Sequence, residues 1–199
     1  MTIHYPNGRQ FVPKSSQPIS SKPSSPGNRG MSLEHELDLA NQFYLATGLA
    51  NIHKKPTPIQ IVNVAYPQRS AAKITEAYFR QASTTDYNGI YRGHYLDFDA
   101  KETKAKTNFP LSNVHEHQIN HLRDIIKHAG WAFFIIRFTQ LDETYVVPAS
   151  LLIQYWDQQA SSRKSIPYTV ITEVGQKVPL GINPSLPYLK AIDQLMDDI

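Results

Sequence analysis

The sequence contains no cysteine among its 199 residues. Disulfide bonds, zinc sites with thiolate ligands and iron–sulfur clusters held by cysteine are therefore excluded. No apolar run approaches the roughly 20 residues that a membrane-spanning helix needs. The first ten residues, MTIHYPNGRQ, also lack the apolar segment of a secretory signal. These absences favour a cytoplasmic protein and leave any bound metal to ligands other than cysteine.

Acidic residues are missing from the first 29 positions. The cations of this segment are Arg9, Lys14, Lys22 and Arg29. Residues 12–27 are rich in serine and proline and offer little apolar surface to bury. Residues 1–29 are therefore predicted to form a disordered basic tail, which would act either as a spacer or as a source of weak phosphate contacts.

Basic charge is also concentrated in one later part of the chain. The net charge is only +3, but residues 53–106 hold nine Lys and Arg against five Asp and Glu. Acids embedded in a basic region suggest a polyanionic partner whose phosphates meet a divalent cation. A solvated surface of mixed charge would have the same composition, so charge alone leaves both interpretations open.

Residues 30–199 are predicted to form one domain, because this length and the 41% apolar content of the chain suffice for a single core. Apolar periodicity predicts helices between Ser32 and Gly48 and over 113–129, 149–159 and 187–197. Turn signals and apolar runs predict strands over 58–64, 84–91, 94–103, 131–138 and 144–148. The order of these elements predicts an α/β fold with a mixed β-sheet flanked by helices.

Residues 53–82 combine a predicted strand with a segment that fits either a short helix or an irregular strand. The cations of this region are Lys54, Lys55, Arg69, Lys73 and Arg80. Their density favours a projecting basic element that contacts the polyanion. An ordinary solvated hairpin is the alternative.

The segment YLDFDAK (95–101) carries the clearest chemical signal. Because side chains alternate across a strand, Leu96, Phe98 and Ala100 are expected to face the core. The opposite face would collect Tyr95, Asp97, Asp99 and Lys101.

Asp86 would converge on Asp99 if the strands on either side of the Arg92–Gly93 turn pair with each other. Two close carboxylates repel unless a cation lies between them. Oxygen ligands suit Mg²⁺ or Mn²⁺ rather than zinc, and Lys101 would neutralise charge on a pentavalent phosphorus. The spacing D-x12-D-x-K is weak by itself, and a salt-bridged surface patch is the alternative.

The helix over 113–129 is expected to begin at Asn113, with Glu116 completing a capping box. Its inward stripe places Gln118 where an apolar residue is expected. A buried amide needs hydrogen-bond partners. Gln118 would therefore either bind a strand carbonyl or offer its oxygen to the metal.

Two further side chains are candidates for contacts around this site. Glu34 is either a solvated acid in the first turn of its helix or a side chain that leans toward the site. His115 lies one helical turn before Gln118. His115 and His117 lack the H-E-x-x-H spacing, which argues against a transition-metal centre.

Several longer segments accompany these patterns, among them HKKPTPIQIVNV, RSAAKITEAYF, TTDYNGIYRG, DFDAKETK and FPLSN followed by HEHQI. The N-terminal patterns YPNG-x-x-F-x-P and NRGM-x-LE are also present. Together they resemble the RecU family of Holliday junction resolvases over nearly the whole chain, most weakly between residues 160 and 199.

The resemblance implies a restriction-endonuclease-like fold with a protruding stalk at residues 53–82. It implies a homodimer that resolves four-way DNA junctions by paired symmetric nicks and leaves 5′-phosphates, with catalytic roles for Asp86, Asp99 and Lys101. The implied ligands of Mg²⁺, for which Mn²⁺ would substitute, are Thr84, Asp86, Asp99 and Gln118. Arg69 would contact DNA from the stalk, and a RecA-type recombinase would be a further partner.

Asp99 departs from the family pattern, which usually has Glu in the D-F-E-A-K segment. The shorter side chain would bring the metal closer to the strand or require compensation by Gln118. We expect an active enzyme, because Asp86 and Lys101 are in place. The alternatives are a non-cleaving junction-binding protein that modulates a recombinase, and a restriction-type nuclease that acts on ordinary duplex DNA.

Overall fold

A computed structural model describes residues 31–66, 72–80 and 83–197 of the chain. The strands are β1 (Ala50–Lys54), β2 (Ile59–Ala65), β3 (Lys73–Phe79), β4 (Tyr87–Tyr91), β5 (His94–Thr103), β6 (Asn108–Pro110), β7 (Trp131–Phe138), β8 (Glu143–Pro148), β9 (Ser165–Pro167) and β10 (Gln176–Lys177). The helices are α1 (Leu33–Ala46), α2 (Glu116–Lys127), α3 (Ala149–Gln158), α4 (Tyr168–Val174) and α5 (Tyr188–Asp197). None of the helices in these ranges combines the length and apolar character needed to cross a membrane.

The centre of the fold is a mixed sheet with the strand order β1-β4-β5-β7-β8-β10. Strand β5 is parallel to β7, and its other neighbour, β4, is antiparallel. One face of the sheet packs against α1 and α5 in a first apolar core. The other face packs against α2, α3 and α4 in a second core. The predicted α/β fold, a mixed sheet flanked by helices, is therefore confirmed.

Most of the predicted elements are confirmed within one or two residues. Ser32 caps α1, and its side chain accepts a hydrogen bond from the His35 amide at 3.3 Å. The apolar residues whose spacing predicted α1, namely Leu33, Leu37, Ala40 and Tyr44, are buried, because side chains three or four positions apart lie on the same face of a helix. The apolar run of β7 lies at the centre of the sheet, between β5 and β8.

Two predicted boundaries are wrong. Strand β4 begins at Tyr87, so Thr84 and Asp86 belong to the loop that leads into it. Helix α2 begins at Glu116 with His115 as its N-cap, because Leu111–Asn113 form a separate turn of 3₁₀ helix. The capping residue is consequently His115 rather than Asn113, and the third helical residue, Gln118, takes the role that was predicted for Glu116.

The segment after β1 forms a hairpin in which β2 and β3 pair with each other in a two-stranded sheet of their own. The prediction of a strand over 58–64 is confirmed, and the ambiguous segment after it contains β3. The side chains of both strands are mostly exposed. Arg69 lies outside the described residues.

Sequence patterns did not predict β1, β6, β9, β10 or α4. Four of these elements are strands of two to five residues, and α4 has seven. Segments this short contain too few residues for a periodic pattern to be recognised.

Gly89 on β4 is expected to be intolerant of a larger residue. A Cβ atom at this position would lie 2.2 Å from the Asn51 carbonyl oxygen and 2.6 Å from the Ile52 Cα atom, both on β1. Backbone atoms cannot move aside as a flexible side chain can, so Gly89→Ala should push β1 away from β4. We expect a loss of about 3 kcal/mol in the free energy of unfolding, measured by urea denaturation. Ile90→Ala, at an exposed position on the same strand, should cost far less.

Candidate active site

The acids of β5 lie on the face of the sheet that packs against α2. Leu96 and Phe98 are buried in the first core, as the alternation predicted. Asp97 and Asp99 point to the other side, and both have 0% relative exposure. Two carboxylates without contact with solvent are costly, because charge loses its hydration on burial. Their environments must therefore compensate for that cost.

The cost of burying the Asp99 carboxylate is only partly offset by its neighbours. Lys101 Nζ lies 3.0 Å from Asp99 Oδ1, and Gln118 Nε2 donates a hydrogen bond to Asp99 Oδ2. Among the described residues, Asp99 Oδ1 has Lys101 as an ionic neighbour and no further partner. Burial raises the pKa of Asp99 to about 6, although the positive charge of Lys101 acts in the opposite direction. The neighbours of Asp99 thus offset only part of the cost of burying its charged form.

The register between β4 and β5 places Asp86 opposite Asp99. Tyr87 on β4 pairs with Phe98 on β5, so continuing the register by one residue sets Asp86 opposite Asp99. The negative charge of Asp86 also contributes to the raised pKa of Asp99. The loop holding Asp86 is fixed to the end of β1 by a hydrogen bond of 2.7 Å from the Lys55 amide to the Asp86 carbonyl oxygen.

The chemistry of these donors fits a hard divalent cation. Two carboxylates repel each other, and the buried oxygen Oδ1 of Asp99 is free to accept a ligand bond. Oxygen donors of this type bind Mg²⁺ or Mn²⁺ in preference to softer metals. In the described part of the chain, no three His, Asp or Glu side chains are grouped closely enough to hold a metal ion by themselves. A cation here would therefore be held by two carboxylates together with water or substrate oxygens.

Gln118 is buried at the start of α2, as predicted, but its amide is oriented differently from a metal ligand. Its Oε1 atom accepts a hydrogen bond of 3.0 Å from the His115 amide, and its Nε2 atom donates to Asp99. If the Gln118 amide were flipped, its Nε2 group would face the His115 amide, and both groups are donors. In this arrangement Gln118 orients Asp99. Thr84, the other predicted ligand in the loop, is half-buried and donates to the carbonyl oxygen of Thr85 at 3.2 Å.

Asp97 has a much fuller set of partners than Asp99. Lys55 Nζ lies 2.9 Å from Asp97 Oδ2, and the Tyr95 hydroxyl donates to the same oxygen at 2.8 Å. His121 Nε2 lies 3.0 Å from Oδ2, and the Thr85 hydroxyl donates to Oδ1. Alternation along β5 predicted the direction of Asp97. The partners from β1, the loop and α2 left no signal in the sequence, because tertiary structure alone brings them together.

Comparison with known proteins identifies the family. The model of the family described as "Recombination protein U", RecU, matches residues 28–194. This match covers most of the chain. The chain belongs to the RecU family. The resemblance inferred from the sequence segments is thus confirmed.

Close relatives of this RecU-family protein are named Holliday junction resolvase RecU. The relative from Limosilactobacillus reuteri strain DSM 20016 is 54% identical, and the alignment covers 98% of each chain. The relative from Leuconostoc citreum is also 54% identical, with 100% of each chain covered. A solved structure of Archaeoglobus fulgidus Hjc, described as an archaeal Holliday junction resolvase, aligns with a TM-score of 0.41 and 12% identity over 72% of this chain and 93% of that chain.

The two candidates for supporting roles in the RecU-family site lie in different surroundings. Glu34 at the start of α1 is exposed and forms an ion pair of 2.6 Å with Lys54. His115 is exposed, and its ring stacks on that of His117 with 5.5 Å between the ring centroids. The pKa of His117 is lowered, chiefly by burial and then by electrostatic interaction with His115 and Lys101. The charge of Lys101 thus affects the pKa of His117.

The predicted DNA-binding cations fall into two groups. Lys54, Lys73 and Arg80 are exposed, and Arg80 Nε donates to Gln60 Oε1 at 3.2 Å within the hairpin. The side chain of Lys55 is only 19% exposed and pairs with Asp97. Its ammonium group thus pairs with a buried carboxylate, whereas Lys54 pairs with the exposed Glu34 at the surface.

Proposed function

We propose that this RecU-family protein is a structure-selective endonuclease that resolves four-way DNA junctions by paired, Mg²⁺-dependent nicks in recombination and repair. The observation that carries the proposal is the buried Asp99, with an oxygen open to a ligand, beside Lys101 and opposite Asp86. The names of the relatives, Holliday junction resolvase RecU, support the choice of substrate.

The chemistry follows from the positions of the side chains. Asp86 and Asp99 would hold a divalent cation, which as a Lewis acid polarises the phosphate and makes a bound water more acidic. Hydrolysis would form a bond between a water oxygen and phosphorus and break the bond to the 3′-oxygen. The proton released by the water would be balanced by the one that the 3′-oxygen takes up, so the products would be a 5′-phosphate and a 3′-hydroxyl. Lys101 would place its ammonium group against the phosphate oxygens, where it neutralises charge that grows in the pentavalent transition state. Gln118 keeps the Asp99 carboxylate in orientation.

Two chains are needed for the proposed reaction. Paired nicks at symmetric positions of a junction require two active sites, and a homodimer with two-fold symmetry supplies them. Recognition is expected to rely on shape and phosphate contacts, because the sequence has no motif that reads base edges.

The β2–β3 hairpin is proposed as the stalk that enters the junction centre. Its surface combines exposed cations with exposed apolar groups, which soluble proteins normally avoid unless the surface binds a partner. The largest of these groups are Tyr66, Tyr78 and Phe79, which are 72%, 60% and 84% exposed. A four-way junction offers both phosphates and exposed base-pair faces at its centre.

Cleavage of a synthetic four-way junction with and without Mg²⁺ tests the proposed function. Linear duplex of the same sequence, assayed at the same salt concentration, is the control, because affinity for phosphate depends steeply on salt. We expect Mg²⁺-dependent cleavage of the junction and little cleavage of the duplex. Tight binding without cleavage would instead support a non-cleaving junction-binding protein. Equal cleavage of both substrates would support a nuclease that acts on ordinary duplex.

Arg69→Ala tests the stalk. Because the proposed stalk contacts the junction centre, the variant should cut junctions at least about ten times more slowly. Its affinity for linear duplex, which has no such centre, should change little. Lys190→Ala, an exposed cation on α5, is the matched control. Unchanged junction cleavage by Arg69→Ala would remove the stalk from the proposal.

A further inference from the structure

Asp97 is a buried charge for which the proposed chemistry has no direct use. It lies two residues from Asp99 on the same face of β5, yet its oxygens are already occupied by Lys55, Thr85, Tyr95 and His121. A buried carboxylate with this many donors is a poor ligand for a cation. Three of these partners come from other parts of the fold: Lys55 lies directly after β1, Thr85 in the loop before β4 and His121 on helix α2.

The partners of Asp97 connect it to Asp86 through Lys55. The Lys55 amide donates to the Asp86 carbonyl oxygen at 2.7 Å. The Lys55 ammonium group lies 2.9 Å from Asp97 Oδ2 and 3.0 Å from Thr85 Oγ1. Thr85 is the residue immediately before Asp86, and its hydroxyl donates to Asp97. The main chain and the side chain of Lys55 thus both contact the loop that contains Asp86.

This arrangement matters because Asp86 is not part of a strand. Strand pairing holds Asp99 in place, whereas the Thr84–Asp86 loop precedes β4 and has no ladder of its own. The pairing of β4 with β5 ends at Tyr87 and Phe98, one residue before Asp86 and Asp99. Something other than the sheet must therefore keep the Asp86 carboxylate beside Asp99.

We propose that Asp97 and Lys55 are positioning residues: they form a buried ion pair that fixes the Thr84–Asp86 loop so that Asp86 and Asp99 share one divalent cation. The inference rests on the proposed function, because it assigns a role within the same site. It also gives Lys55 a structural partner in place of the phosphate contact predicted from its position in a basic segment.

The first test uses Mn²⁺ as the probe and needs no DNA. Binding of Mn²⁺ to the full-length protein is measured from the loss of the free-ion signal in electron paramagnetic resonance. Asp97→Asn keeps the shape of the side chain but removes the charge that holds Lys55. We expect the Kd for Mn²⁺ to rise about 10- to 100-fold, the range typical of residues that orient metal ligands. The Mg²⁺ concentration that gives half-maximal junction cleavage should rise in parallel.

Variants at Lys55 separate positioning from DNA binding. Lys55→Met should weaken Mn²⁺ binding as Asp97→Asn does, while affinity for the junction without metal and its salt dependence stay as in the wild type. Loss of a phosphate contact would instead lower the magnitude of the slope of log affinity against log salt by about 0.9. Lys55→Arg retains the charge and should recover part of the metal affinity. A lowered salt slope with unchanged Mn²⁺ binding would overturn the assignment.

Folding is controlled by two further variants. The double variant Asp97→Asn with Lys55→Met leaves no unpaired buried charge, so it should recover the stability lost in either single variant but not the Mn²⁺ affinity. Glu36→Gln removes a different ion pair, Glu36 with Arg137 at 3.0 Å, on the opposite face of the sheet. It should lower stability and leave Mn²⁺ binding unchanged.

The outcomes distinguish this inference from the function on which it rests. If the wild type binds Mn²⁺ and cuts junctions, and folded Asp97→Asn does both with an unchanged metal requirement, the positioning role is wrong and the proposed function stands. If the wild type shows neither saturable Mn²⁺ binding nor cleavage, the proposed function is wrong and the positioning role falls with it.

Discussion

Asp99→Asn should reduce Mg²⁺-dependent cleavage of a four-way junction by about 10³-fold or more. The substitution removes one of the two carboxylates proposed to hold the cation, and metal catalysis of this kind contributes several kcal/mol, with tenfold in rate for each 1.36 kcal/mol. Single-turnover cleavage of a labelled junction with enzyme in excess measures the change, and it separates the chemical step from product release.

The fold should survive this substitution, which makes the result interpretable. Burial raises the pKa of Asp99 to about 6, above its ordinary value of 3.8. A raised pKa means that the folded protein disfavours the charged carboxylate, so at neutral pH the ionised Asp99 costs stability. Asparagine is neutral and of similar shape, and we expect little change in thermal stability. Junction binding without Mg²⁺ should also persist.

Asp142→Asn is the matched control for Asp99→Asn. Asp142 is exposed in the turn between β7 and β8 and has a positive φ of 55°, a conformation that asparagine also tolerates. The same chemical change should leave cleavage at the wild-type rate. Wild-type cleavage by Asp99→Asn itself would show that the metal site lies elsewhere.

Lys101→Met should slow cleavage by about 10²- to 10³-fold while leaving metal binding nearly unchanged. The ammonium group lies 3.0 Å from Asp99 Oδ1, and it is proposed to stabilise charge that develops only in the transition state. Loss of one such group typically costs this much in rate. Methionine retains most of the length of the side chain, so packing should change little.

Comparison of the two variants tests the assignment of roles. Asp99→Asn should abolish the Mn²⁺ site that Lys101→Met retains, although both variants cut slowly. Lys190→Met, an exposed lysine on α5, should cut at the wild-type rate. If Lys101→Met loses Mn²⁺ binding as well, the lysine acts through the metal site rather than on the phosphate.

Strand β5 illustrates what local sequence can predict. Its start followed from the turn signal at Arg92–Gly93. Its buried apolar face and the direction of its acids followed from alternation, because a strand repeats every two residues and this one is ten residues long. The first helix was predicted for the same reason, with a period of 3.6 residues and a cap at Ser32.

Gln118 illustrates a prediction that reached the correct residue for an incomplete reason. The apolar stripe of α2 indicated that an amide is buried there, and it is. The sequence did not indicate that the helix starts three residues later than Asn113, which turns Gln118 into a capping residue with its oxygen committed to His115. A shift in helix start thus changes which atom faces Asp99.

The sequence by itself determined the family, the central elements of the sheet and the set of acids on one face of β5, because periodicity and contiguous motifs are local properties of the chain. The tertiary structure alone decided which residues hold the Asp86 loop in place and which donors satisfy Asp97. Those contacts join residues from β1, the loop before β4, β5 and α2. Residues so distant along the chain become neighbours only through sheet register and helix packing, which a local pattern does not encode.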